Sequence, residues 1–297
     1  MSETAGAAPT ADKTDTNRTT DTTDTTKAPA AGAAGAGSGR NTAASTPTGR
    51  MRALARAELT LLGRSRGTLF AALFVPLVLP LSLYSAAGEM DLDEVGLSLG
   101  AVILPGAIGF SLLFAVYSSL VGVFVTRREE LVLKRLRTGE LRDVEILCGA
   151  SLPSLATGLV QSLVLAAGCA LLLDVAAPEA VHLSVLGLLL GLVLCAALAA
   201  VTAGFTRTTE SAQVTAMPVL MVSMLGSGMM VPLEVLPDRL ASFCELLPLT
   251  PAMTLLRGGF TGNLSGSETL FAVAAGVAWV LLAAFAVRRW FRWEPRR

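Results

Sequence analysis

Six apolar stretches, at about 68–87, 97–126, 146–173, 183–205, 212–233 and 269–287, contain no Lys, Arg, Asp, Glu or His. A helix rises about 1.5 Å per residue, so about 20 apolar residues cross a hydrocarbon core of roughly 30 Å. All six stretches reach or nearly reach that length. The chain therefore reads as an all-α membrane protein with six transmembrane helices. The lack of ionisable groups in the spans argues against a proton- or ion-coupled carrier, which usually needs such groups inside the membrane.

The apolar share of the 297 residues is 53%, with 15% charged and a net charge of zero. That exceeds the soluble average of about 45–50%, and the excess begins near residue 68. Residues 1–49, rich in Thr, Ala, Gly, Asp and Ser, lack the apolar side chains needed to offset ordering entropy, so a disordered tail is expected. No apolar stretch of signal-peptide type follows its few charges, and the composition change near Met51 raises the expectation that translation starts there. Cys148, Cys169, Cys195 and Cys244 show no CxxC spacing and read as small apolar packing residues, with no metal site or disulfide framework implied.

Basic residues mark the cytoplasmic loops of membrane proteins. Arg50, Arg52, Arg56, Arg64 and Arg66 precede the first span, six basic residues between Arg127 and Arg142 separate spans two and three, and Arg288 to Arg297 follow the sixth. The opposite loops are acidic or nearly uncharged, as at Glu89, Asp91, Asp93 and Glu94. Both termini are thus expected in the cytoplasm, the last as a basic tail at 291–297. Residues 50–66 read as an amphipathic helix on the inner surface, with Met51, Leu54, Leu61 and Leu62 on one side. A seventh span at 240–260 would bury Glu245 and Arg257 and would be broken by Pro248 and Pro251. Two short outer helices within 237–266 are expected instead, entering the outer leaflet without crossing, with Pro237 opening the first and Pro248 to Pro251 separating them.

The segment Arg127-Arg128-Glu129-Glu130-Leu131-Val132-Leu133-Lys134-Arg135-Leu136-Arg137 carries more apolar area than a solvated loop requires, so it reads either as an ordinary positive-inside loop or as a docking surface. Span two is about 30 residues long, and its surplus is expected to carry the helix into the cytoplasm through this segment, capped at Gly139, with a kink at Pro105.

The stretch 127–149, RREELVLKRLRTGELRDVEILCG, resembles the signature loop of ABC-2-type transporter permeases. A second match is Ser227-Gly228-Met229-Met230-Val231-Pro232, followed by Leu236-Pro237, Leu247-Pro248 and Arg257, which is similar to the family's end of span five and its outer re-entrant helices. The resemblance covers about residues 50–290, which would form one transmembrane domain. Two departures stand out: the family's usual Gly and Thr are Leu131 and Val132, and its frequent Pro is Glu140, which implies a more apolar and more continuous docking helix.

The resemblance implies the membrane half of a bacterial ATP-driven exporter of the daunorubicin-resistance type, multi-pass in the plasma membrane, with a homodimer or a close paralogue as partner. Two copies of a separate ATP-binding subunit would bind ATP and Mg and do the chemistry. This chain would be no enzyme and bind no cofactor, having no G-x-x-x-x-G-K-[ST] loop and only Lys13, Lys27 and Lys134 as lysines. Arg128, Glu129, Glu130, Leu133, Lys134, Arg135, Leu136 and Arg137 would couple to that subunit. Pro232, Pro237, Pro248, Pro251 and Arg257 would shape the outer re-entrant region. Ser118, Ser119, Ser223, Ser227 and Gly228, on spans two and five, are pathway candidates that otherwise read as helix packing.

Met217, Met221, Met224, Met229 and Met230 offer an adaptable apolar surface. The uncharged interior suits an amphiphilic or lipophilic cargo, such as a drug, an antibiotic or a lipid-like molecule. Gly226-Ser227-Gly228 resembles a serine-nucleophile motif, but His182 is the only histidine and sits at the outer start of span four while Ser227 lies deep in span five, so no catalytic residue is expected. Contacts with membrane lipid and none with nucleic acid are expected. A membrane scaffold or assembly subunit that docks a cytoplasmic protein without transport is the alternative reading.

Overall fold

The computed structural model describes residues 99–132, 143–172, 175, 177–229, 233 and 237–291. The tail at 1–49, the amphipathic lead-in, the first span and residues 292–297 lie outside the described residues. Those described form α-helices and one π-helical segment, with no strand among them. In chain order these are α1 (Leu99–Ser111), π1 (Leu112–Ser118), α2 (Ser119–Glu129), α3 (Asp143–Leu172) and α4 (Val181–Phe205). They continue with α5 (Thr209–Gly226), α6 (Asp238–Glu245), α7 (Thr250–Thr261) and α8 (Gly266–Trp290).

Among the described residues, four helical stretches are long and apolar enough to cross a membrane: Ile103–Glu129, Asp143–Leu171, Val181–Phe205 and Gly266–Trp290. They coincide with spans two, three, four and six of the sequence reading. The chain is therefore an all-α membrane protein. The fifth expected span differs. Its helix, α5, starts earlier, at Thr209, and ends at Gly226 instead of running to 233. Ser227 leaves helical geometry, and Gly228 adopts a left-handed φ of 71°, which an L side chain rarely takes.

The run α1–π1–α2 is the central pillar. Leu112, Leu113, Val116, Tyr117, Leu120 and Val121 have no exposed surface. Pro105 is accommodated inside α1. In the π1 turn the hydrogen-bond ring is one residue wider than in an α-helix, a feature common at functional sites and one that periodicity does not announce. The flanking helices reverse the pattern of a water-soluble bundle, turning large apolar side chains outward, as at Leu163 on α3, Leu189 on α4 and Leu281 on α8. Such faces suit contact with lipid chains.

The short helix α7 is buried along most of its length and lies across α4. Close approach depends on Gly187, where an added Cβ would come within 2.7 Å of the Leu256 backbone nitrogen and 2.8 Å of the Ala252 carbonyl oxygen. Reciprocal capping boxes, Thr208 with Ser211 and Ser265 with Glu268, open α5 and α8 and satisfy amides that would otherwise lack partners.

Candidate functional site

The inner end of the pillar is where the sequence places a coupling segment, and the structure gives its first residues two different environments. Arg128 is completely buried. Its guanidinium donates to the carbonyl oxygens of Ala203 at 2.8 Å, Thr206 at 2.6 Å and Arg207 at 3.2 Å. These lie at the C-terminal end of α4, where carbonyls have no partner within the helix and the helix dipole favours a cation. Glu129 points the other way. Its carboxylate accepts from the Thr209 amide at 3.1 Å and also from the Thr209 hydroxyl. Thr209 is the first residue of α5, the dipole end that favours an anion. The adjacent pair thus grips both ends of the connector between α4 and α5, and Arg128 faces into the protein instead of outward.

Beyond Glu129 the helix stops. Leu131 has a φ of 59°, in the left-handed region. Its amide donates to the Arg128 carbonyl at 3.1 Å, closing the turn. The expected continuous docking helix is therefore interrupted. The break falls at Leu131, where the resemblance noted above led to an expectation of Gly. Glu130 and Leu131 are exposed. Leu133, Lys134, Arg135, Leu136, Arg137 and the Gly139 cap lie outside the described residues.

The pathway candidates do not converge. The Ser118 hydroxyl donates to Gln213 Oε1 on α5 at 3.1 Å, and Ser119 pairs with the Ser154 hydroxyl on α3 at 3.2 Å. Ser223 and Ser227 are buried toward the other end of α5, about 15–20 Å from Gln213 along the helix at its usual rise. The Ser227 hydroxyl is enclosed with no hydrogen-bond partner. Of the methionines, Met217 and Met221 are exposed and Met229 is buried. Met230 lies outside the described residues.

The two short helices expected within 237–266 are α6 and α7. Pro237 is the N-cap of α6, and Pro251 lies in the first turn of α7. The Thr250 hydroxyl donates to the Cys244 carbonyl at 2.6 Å, tying the start of α7 to the end of α6 with Pro248 between them. Pro232 lies outside the described residues. Arg257, assigned by sequence to the outer helices, and Gly228, assigned to the pathway, prove to be neighbours. The Arg257 guanidinium donates to the Gly228 carbonyl.

Three polar features were missed in the sequence. The Tyr117 hydroxyl meets the Thr202 hydroxyl at 3.0 Å and the Ala216 carbonyl at 3.4 Å, linking π1 to α4 and α5. A tyrosine within an apolar span must find an acceptor, and that signal was available. Gln161 on α3 is fully enclosed, and neither its amide oxygen nor its nitrogen is hydrogen-bonded. The Trp279 indole nitrogen on α8 donates to the Leu246 carbonyl at 3.1 Å. Among the described residues no group of three or more His, Cys, Asp or Glu could hold a metal ion, and the four cysteines are unpaired thiols. His182 is exposed in the first turn of α4.

The family model described as ABC-2 type transporter matches residues 50–261. The chain belongs to the ABC-2 type transporter family. No curated protein matches it. Membership makes the chain a membrane subunit of an ABC transporter, a class that works with an ATP-binding subunit. It covers Arg128 and Glu129 as well as Gly228 and Arg257, so both ends of α5 lie within the ABC-2 region.

Proposed function

We propose that this chain is the permease subunit of an ATP-driven exporter that moves an amphiphilic or lipophilic molecule outward across a bacterial plasma membrane. In this reading six helices cross the bilayer, including 68–87 and α5, with both termini inside and residues 50–290 forming the transmembrane domain. Helices α6 and α7 enter the outer leaflet without crossing. Two such permeases, identical or closely related, pair over two ATP-binding subunits. Those subunits bind ATP and Mg and press on residues 128–137, where Glu130, Leu133, Lys134, Arg135, Leu136 and Arg137 make the contacts. The cargo class extends to drugs, and a role of the daunorubicin-resistance type is the favoured case.

The observation that carries the reading is the ABC-2 match over residues 50–261. The uncharged spans add support, since an apolar interior with scattered Ser and Gly suits a lipophilic cargo better than an ion. No phosphate-binding loop occurs in these 297 residues, which fits motor chemistry supplied in trans.

The test is affinity purification of the full chain from its native membrane, identification of an accompanying ATP-binding subunit, and reconstitution of the pair in liposomes. ATP-dependent movement of a fluorescent lipophilic amine away from the face carrying the ATP-binding subunits is the expected result. Uphill transport by the permease alone, without nucleotide, would overturn the reading, as would a complex that binds a cytoplasmic protein and moves nothing.

A further inference from the structure

The connector between α4 and α5 is only three residues long, Thr206 to Thr208, and it is held from both sides by consecutive residues of a third helix. Arg128 occupies the carbonyl end of α4 through three hydrogen bonds, and Glu129 occupies the amide end of α5 through two. Each charge matches the sign of the helix dipole it faces. The same short stretch then turns at Leu131 and leads into the coupling segment.

A rigid pillar ending in such a bracket cannot be displaced without carrying the α4–α5 corner with it, because separating them would strand buried carbonyls and a buried guanidinium. We propose that Arg128 and Glu129 are positioning residues that transmit movement of the coupling segment to the inner end of α5. The pair acts as a link inside the permease and not as a contact to the ATP-binding subunit. The inference rests on the proposed function in one respect, that an ATP-binding subunit drives the coupling segment.

The prediction concerns where motion is lost. Spin labels at positions 127 and 210, each paired with a label at 289 on α8, report the inner ends of α2 and α5 in the full complex in nanodiscs. In the unmodified complex, ATP with vanadate should shift both distances. In Glu129→Gln the shift at 127 should persist while that at 210 is lost, and in Thr209→Val, which keeps the backbone amide contact, the 210 shift should be reduced, with ATPase activity and co-purification retained in both. Combining the two substitutions should add nothing, since both remove one link.

The exchanged pair R128E/E129R places each charge against the wrong dipole and should lose the 210 shift even if it assembles; failure to assemble would leave the two single variants to decide. Persistence of the 210 shift in both single variants overturns the inference while leaving the proposed function standing. Loss of co-purification in Glu129→Gln overturns it too, by making Glu129 a partner contact. An unmodified complex with no nucleotide-dependent shift at either position counts against the proposed function itself, and the inference falls with it.

Discussion

Arg257 on α7 holds the carbonyl of Gly228 just past the C-terminal end of α5, while Glu129 holds Thr209 at the N-terminal end of the same helix. A helix of 18 residues with exposed Val214, Met217 and Leu225 is thus fixed by one charged side chain at each end. Both side chains come from other elements.

Replacing Arg257 by Met removes the outer contact but keeps most of the apolar stem. A hydrogen bond from a charged group contributes about 1.5–3 kcal/mol, so a loss of that order is expected. Thermal unfolding of the purified chain in detergent measures it. Arg257→Lys should recover part of the loss, because an ammonium can donate but lacks the planar fork. Equal stability of Met and wild type would remove the contact from the account.

Leu131 should respond in the opposite direction. A left-handed backbone costs an L residue about 1–2 kcal/mol, and Leu131 is partly exposed, so little burial is forfeited. Leu131→Gly is expected to stabilise the chain by about 0.5–1 kcal/mol, read as a higher unfolding midpoint. Leu131→Ala keeps the strain and should show no gain.

Gln161 offers a third case. An enclosed amide without partners is destabilising by about 1–3 kcal/mol, and methionine has similar length and flexibility. Gln161→Met should therefore raise the unfolding midpoint. A fall instead would mean that the amide has found a partner in the assembled protein.

Gly187 tests the seam between α4 and α7. Valine there would drive its Cβ against the backbone of Leu256 and Ala252, which cannot yield as a side-chain tip can. A loss of at least about 1–3 kcal/mol is expected, the range for overpacking. Gly266→Val, at a position with open space around it, is the control.

Much of this architecture was legible in the sequence because lipid imposes a simple length and polarity rule. Spans two, three, four and six emerge from runs of apolar residues, and the two short helices α6 and α7 from Pro237, Pro248 and Pro251. Boundaries set by tertiary contacts were not legible. The helix after span two ends at Glu129 because of a backbone turn at Leu131, a residue whose type argues for continuing. The end of α5 at Gly226 follows from Gly228 and its Arg257 contact, which join residues 29 apart. Arg128 read in the sequence as one of the residues that would couple to the ATP-binding subunit. Only the fold reveals that it points inward, since the sequence does not tell which face of a helix end is covered.

The wider turn at Leu112–Ser118, between Pro105 and Arg128, holds one residue more than ordinary helix needs. Successive residues of an α-helix are about 100° apart around its axis. Deleting one residue within it would let the segment relax to ordinary helix, whereas deleting one from the regular turns of α2, which hold no surplus residue, would rotate everything below by roughly that angle. Arg128 and Glu129 would then swing off the corner they grip. Loss of a single codon within α2 should thus be far more damaging than the same loss within Leu112–Ser118.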